Sequence, residues 1–224
     1  MERRIADNVA AVHDQIAAAA RRAGRDPATI NLVAVTKSQG PDVLPALAAC
    51  GVCDYGENRT AHLMTMAAAA PSGARFHYIG RVQGRQLADV AEHCVALHSL
   101  CQQRHVARLA RACRERQRRL PVFLQVNTGG EDQKAGADPH ELDKLLADCA
   151  EHQDAISVIG LMCMAPDIRD SIASTDPVRR CFATLRELAD TYGLPRLSMG
   201  MSTDFTIAIE EGATDIRVGS RLFA

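Results

Sequence analysis

Eight short apolar or β-rich runs, at 30–37, 52–55, 75–80, 94–99, 121–127, 156–163, 196–201 and 215–219, alternate with helical patterns along this chain. No other feature constrains the fold as strongly. Alternating strand and helix signals imply parallel strands joined by right-handed crossovers. Eight such units within 224 residues leave room for little else. They predict an α/β fold, a single-domain (β/α)8 TIM-type barrel spanning 1–224.

The helical spacing is explicit. Ile5, Val9, Val12 and Ile16 recur at steps of four, three and four ahead of the first strand, and Gly24 offers a C-terminal stop. Val106, Leu109, Ala110 and Cys113 keep one helical face, as do Leu142, Leu145, Leu146 and Cys149. A helix near 179–191 is expected to bury Phe182, Leu185 and Ala189. Seven helical patterns lie between the strands, so the N-terminal helix is expected to complete the outer ring. The runner-up is an open doubly wound sheet, which lacks a G-x-G-x-x-G after its first strand.

Composition narrows the function. Hydrophobic residues make up 47% and charged residues 24%, with net charge −1. No bulk attraction to nucleic acid or membrane is expected. The basic stretch 114–119 has no aromatic residues for base stacking and suits a solvated helix end. No segment is long and apolar enough to span a bilayer, and no apolar signal core follows Met1, so a cytoplasmic protein is expected. The eight cysteines then serve as reduced core thiols. Cys50 and Cys53 form one C-x-x-C without a second ligand pair, so packing is favoured over a metal site.

Lysine usage is the sharpest chemical signal. Of 26 Lys and Arg residues, only Lys37, Lys134 and Lys144 are lysines. Lys37 closes the first strand run, Ile30 to Lys37. A lysine amine can lose its proton and attack a carbonyl, whereas arginine stays protonated. The plain alternative, a solvated strand-end lysine in an arginine-biased sequence, stands beside it.

Barrels place functional groups at the C-terminal ends of strands. Lys37, Glu57-Asn58, His77 leading to Gly80, Gln125-Val126-Asn127, Gly200-Met201-Ser202 and Arg217-Val218-Gly219-Ser220 fall there. Barrels often bind phosphate after strands seven and eight, where small residues let backbone N–H groups approach an anion. Ser202 and Thr203 stand at the expected N-cap of a helix through Ile209, with Gly212 as its stop, and Gly219-Ser220 forms a second small-residue turn. An ordinary cap and a turn glycine are the plain readings. Two such turns together with Lys37 favour a phosphate-bearing carbonyl ligand. Arg217, inside the last strand, needs a partner if buried. It is an internal salt-bridge residue or a donor to a ligand ring. His77 is read as a core histidine bonded to backbone, Glu57 as an ion-pair partner and Asn58 as a helix cap or ligand contact. Met162, Met164, Met199 and Met201 are read as barrel core.

These motifs resemble the pyridoxal phosphate homeostasis proteins, relatives of the N-terminal barrel of alanine racemase. The matching pieces run nearly end to end: Val35-Thr36-Lys37, Gly56-Glu57-Asn58, Phe76-His77-Tyr78-Ile79-Gly80, Gln125-Val126-Asn127, Gly160-Leu161-Met162, Leu197-Ser198-Met199-Gly200-Met201-Ser202 and Arg217-Val218-Gly219-Ser220. The resemblance implies pyridoxal 5′-phosphate as cofactor, with Lys37 forming an internal aldimine. It implies that Ser202, Gly219 and Ser220 hold the phosphate and that Arg217 faces the pyridine nitrogen. Asn58 and His77 match motif positions near the cofactor. Departures occur at Ser38-Gln39-Gly40, at Arg59-Thr60-Ala61-His62 and at Val82-Gln83-Gly84-Arg85-Gln86. They leave the implied cofactor positions intact and remove lysines that relatives often carry nearby.

The resemblance favours a non-catalytic carrier or regulator of the cofactor, with apo-enzymes as partners, and a barrel closed by its own N-terminal helix is compatible with a monomer. A racemase and a Schiff-base aldolase are the alternatives. Two-base racemisation needs a proton donor on the opposite substrate face, and a chain ending soon after strand eight is expected to lack the extra β-domain that supplies it. A guanidinium facing the pyridine also disfavours ring protonation, which weakens the ring as an electron sink.

Overall fold

The computed structural model describes residues 1–129, 135–166 and 175–224. Lys134 lies outside them. Eight parallel strands close into one barrel in sequence order, with β1 pairing both β2 and β8. They are β1 Asn31–Val35, β2 Asp54–Glu57, β3 Arg75–Tyr78, β4 Cys94–Leu100, β5 Leu120–Gln125, β6 Ile156–Met162, β7 Arg196–Met201 and β8 Asp215–Val218. The α-helices among the described residues are α1 Glu2–Arg22, α2 Val43–Ala49, α3 Thr60–Ala68, α4 Leu87–His93, α5 Gln103–Glu115, α6 Leu142–Ala150, α7 Asp176–Thr191, α8 Phe205–Glu210 and α9 Ser220–Phe223.

The expected ring is present. Helices α2 to α8 follow strands one to seven, and α1 packs against α2, α8 and α9 to fill the remaining outer position. Its buried stripe is Ile5, Val9, Val12, Ile16, Ala19 and Ala20. Gly24 follows its C-cap, Ala23, with φ +66°.

Two departures from the sequence expectation bear on the site. Strand β1 ends at Val35, because the chain turns at Thr36, whose carbonyl accepts from Gln39 N–H at 2.8 Å. Lys37 therefore stands on a loop beyond the strand. Helix α8 is capped by Asp204, not by Ser202 or Thr203. Asp204 Oδ1 accepts from the Met201 N–H at 2.5 Å, which folds 201–204 into a turn and turns Ser202 to another task.

Side-chain alternation sorts the strands into two faces. Tyr55, Phe76, Tyr78, Leu97, Leu197, Met199, Ile216 and Val218 join the apolar layer between strands and helices. The residues alternating with them point inward: Asp54, His77, His98, Ser198 and Arg217, all buried. Phe123 also lies outside the main apolar cluster, with its ring 4.4 Å from that of His98 and 5.4 Å from Arg196 Cζ. Barrel interiors of this type are usually filled with branched apolar residues. This one is largely polar, and its polarity leads to the site.

Candidate functional site

A cavity of about 510 Å³ opens at the C-terminal end of the barrel. Its walls come from most of the strand-end loops and include Lys37, Asn58, Arg81, Gln125, Ser202, Thr203, Arg217, Gly219 and Ser220. Of the seven candidate residues read from the sequence, six line it. His77 does not.

The loop carrying Lys37 is held on both sides. The Thr36 hydroxyl donates to Glu57 Oε1 at 2.5 Å. His62 joins Glu57 Oε2 at 2.8 Å through Nδ1 and the Gln39 carbonyl at 3.0 Å through Nε2. Glu57 therefore has a side-chain partner as expected, and it is His62, an ion pair when that imidazole is protonated. The Lys37 side chain is exposed to the cavity.

Asn58 lines the cavity and does not cap α3, whose N-cap is Arg59. Its carbonyl accepts from the Tyr78 hydroxyl at 3.1 Å. Opposite, Ser202 Oγ accepts from the Gly219 N–H at 3.1 Å, tying the loop after β7 to the loop after β8. Glycine is needed at the end of β7 and in the loop after β8. Gly200 has φ +92°, and a Cβ there would lie 2.6 Å from the Ala208 Cβ. A Cβ on Gly219 would lie 3.2 Å from both Cβ and O of Val35, so its backbone runs close against β1.

Arg217 is buried and lines the cavity. It donates through Nη1 to Ser198 Oγ at 2.7 Å and through Nη2 to the Cys163 carbonyl at 2.9 Å. Burial pushes its guanidinium down from the usual arginine range, while Cys163, Asp204 and Asp215 favour the charged form. Asp215 is also paired with Arg196.

His77 sits deeper in the barrel, between His98 Nε2 at 2.9 Å and Asp54 Oδ1 at 2.8 Å. The expectation of a core histidine holds, but its partners are side chains, not backbone. Burial alone would raise the Asp54 carboxyl; hydrogen bonds from His77 and Arg75 outweigh it and hold the group at about 2. Met162, Met164 and Met201 line the cavity, and only Met199 of the four methionines is buried in the layer beneath the helices.

Sequence reading passed over Arg81, His98, Asp54 and the role of His62. A polar residue in the middle of an apolar strand, as His98 in Ala96-Leu97-His98-Ser99-Leu100, is the available signal. In a strand covered by helices, such a residue must face the barrel interior. Cys50 and Cys53 are half-buried and not joined in a disulfide. Among the described residues there is no cluster of metal-binding type, and no helix is long and apolar enough to cross a membrane.

Comparison with known proteins agrees with the geometry. The family described as alanine racemase, N-terminal domain, matches residues 8–224. A pyridoxal phosphate homeostasis protein of Pseudomonas aeruginosa is 37% identical over 98% of this chain and 94% of its own length. One from Aquifex aeolicus is 33% identical over 97% and 96%. Among solved structures, PipY of Synechococcus elongatus superposes with TM-score 0.85 without PLP and 0.83 with PLP bound, at 30% identity, covering 98% of this chain and all of that one. A family match over nearly the whole barrel, with relatives this similar end to end, places the chain in the alanine racemase N-terminal-domain family, among the pyridoxal phosphate homeostasis proteins.

Proposed function

We propose that this chain binds pyridoxal 5′-phosphate and serves its homeostasis without running a catalytic cycle. The observation that carries this reading is the charge of the cavity wall. Its titratable side chains among the described residues are Lys37, Arg81 and Arg217, all basic, with no carboxylate, histidine, tyrosine or thiol. A wall of this kind suits an anionic ligand with a carbonyl, and among the described residues it carries no second acid–base group facing Lys37.

The residues fit the cofactor. Lys37 supplies the amine that binds its aldehyde. The Ser202 and Ser220 hydroxyls are the donors for its phosphate, with Thr203 beside them, and Gly219 lets the backbone come close while its N–H holds Ser202 in place. Arg217 is the donor toward the ring nitrogen, and Asn58 orients the ligand from the side of β2. Met162, Met164, Met201 and Ile79 cover apolar surface and exclude water. When bound, the cofactor supplies an electrophilic carbonyl and an electron-withdrawing ring. Arg217 keeps its own proton and so does not protonate that ring. Delivery to apo-enzymes, a cytoplasmic location and a monomeric state belong to the same proposal.

Borohydride reduction followed by peptide mapping tests it. The purified protein is expected to be yellow and to carry the reduced cofactor on Lys37. Lys37→Ala should lose the trapped cofactor while keeping its circular dichroism and melting temperature. Trapping on Lys134 or Lys144, or a colourless protein that takes up no added cofactor, would overturn the reading. Colour also separates it from an aldolase acting directly on a sugar phosphate.

A further inference from the structure

A line of four hydrogen bonds crosses the barrel interior and ends at the cavity. Arg217 Nη1 donates to Ser198 Oγ at 2.7 Å. Ser198 Oγ meets His98 Nδ1 at 2.7 Å, His98 Nε2 meets His77 Nδ1 at 2.9 Å, and His77 Nε2 meets Asp54 Oδ1 at 2.8 Å. The five residues come from β8, β7, β4, β3 and β2, and all are buried. Only Arg217 lines the cavity.

The two ends fix the polarity. A guanidinium only donates and a carboxylate only accepts. Asp54 is ionised, held so by His77 and by Arg75, whose Nε and Nη2 donate to it at 2.8 and 2.5 Å. His98 is neutral: burial pushes it well below the usual histidine value, and the charges of Arg217 and Arg196 push it the same way. A neutral imidazole has one donor and one acceptor. Ser198 accepts from Arg217, which leaves its own proton free to go to His98 Nδ1. His98 must then carry its proton on Nε2 and give that bond to His77 Nδ1. His77 in turn carries its proton on Nε2, toward Asp54. Every link has one donor and one acceptor. The opposite polarity would need a second proton on His77. It would add a positive charge beside His98 and Arg217, against an Asp54 carboxylate already paired with Arg75, and it would turn the Ser198 proton away from His98.

We propose that Asp54, His77, His98 and Ser198 form a relay of fixed polarity that orients Arg217 toward the cavity, with both histidines held as neutral Nε2–H tautomers. The relay does not transport protons, because its arginine end does not release one. It acts by direction. Arg217 donates into a chain that ends on an anion, which favours its charged form and fixes the plane of its remaining N–H groups. Asp204, Asp215 and Cys163 are the other groups that favour its charge. The four residues are positioning residues, and Arg217 alone touches the ligand. The ligand half of this inference rests on the function proposed above.

The test has two arms. The first uses the ¹⁵N-labelled protein without cofactor. Long-range ¹H–¹⁵N spectra, assigned with His77→Gln and His98→Gln, should show both imidazoles protonated at Nε2 and bare at Nδ1 through the neutral pH range. An Nδ1–H tautomer or an imidazolium at either position would overturn the relay. The second arm follows bound pyridoxal 5′-phosphate. Ser198→Ala should shift the absorbance of the bound cofactor and weaken its retention about tenfold, the scale of one hydrogen bond to a charged group. Ser198→Thr, which keeps the hydroxyl, should restore both. Wild-type absorbance and affinity in Ser198→Ala would overturn the orienting role. Ser198→Ala removes one oxygen and settles this arm even where the bulkier histidine changes disturb folding. If no cofactor binds the wild-type protein, the function proposed above fails, and the tautomers still decide the relay.

Discussion

Lys37 owes its position to neighbours that the sequence presents as departures from the family pattern. His62 belongs to the unusual run Arg59-Thr60-Ala61-His62, and Gln39 to Ser38-Gln39-Gly40. In the folded chain the two meet, and with Glu57 and Thr36 they hold the loop while leaving the lysine side chain to the cavity. On the opposite wall, Ser202 and Ser220 are paired in task but not in environment. Ser202 bridges to Gly219, whereas Ser220 is exposed at the start of α9. Each hydroxyl bond to a phosphate contributes about 1.5–3 kcal/mol before compensation. Replacing both serines by alanine should therefore weaken cofactor retention by at least tenfold, measured by equilibrium dialysis with pyridoxal 5′-phosphate. Unchanged affinity in the double variant would place the phosphate elsewhere.

At the scale of elements, α1 closes the ring that the other helices leave open. Its buried stripe packs toward α2, α8 and α9, and Asn8 donates to the carbonyls of Leu222 and Ala224 at 3.2 and 3.1 Å. The first and last helices are thus pinned together, next to the loop that bears Gly219 and Ser220. Ile16 is 3% exposed. Ile16→Ala should cost about 2–5 kcal/mol, because the cavity it leaves lies between rigid elements. Asp14→Ala, on the exposed face of the same helix, should stay within about 0.5 kcal/mol of the parent. Urea unfolding of the two variants checks the contrast, and equal midpoints would mean that α1 is not part of the cooperative fold.

For the molecule as a whole, the polarity of the barrel interior sets the character of the site. Charged and hydrogen-bonding groups from β2, β3, β4, β7 and β8 fill the lumen and finish in a basic cavity. Such a cavity holds an anionic carbonyl compound and leaves the opposite face of a bound amino acid without a proton donor among the described residues. Wild-type protein loaded with pyridoxal 5′-phosphate should therefore racemise alanine far more slowly than a dedicated racemase. Arg217→Glu should alter the absorbance of the bound cofactor without creating an efficient racemase, since it adds no acid–base group on the opposite face to those of the described residues. Fast alanine racemisation by the wild-type chain, followed by polarimetry, would replace the carrier reading with an enzymatic one.

The barrel was legible because its cause is local. Period-two and period-3.6 apolar patterns, stop glycines and short loops are written residue by residue, and eight alternating units have few ways to close. Lys37, Ser202, Arg217, Gly219 and Ser220 were legible for a related reason, since strand ends in a barrel must converge. What the sequence could not supply was the pairing of residues far apart along the chain. His98 meets Ser198 across 100 positions, and Arg196 meets Asp215 only because β7 and β8 are neighbours. The shift of His77 from cofactor neighbour to interior link has the same origin. Its depth below the strand ends depends on the register of β3 against β2 and β4, where His77 stands opposite Gly56 and Ala96. Register is a property of paired strands, set when the barrel closes, and a single strand's pattern fixes which face a side chain takes but not what waits for it there.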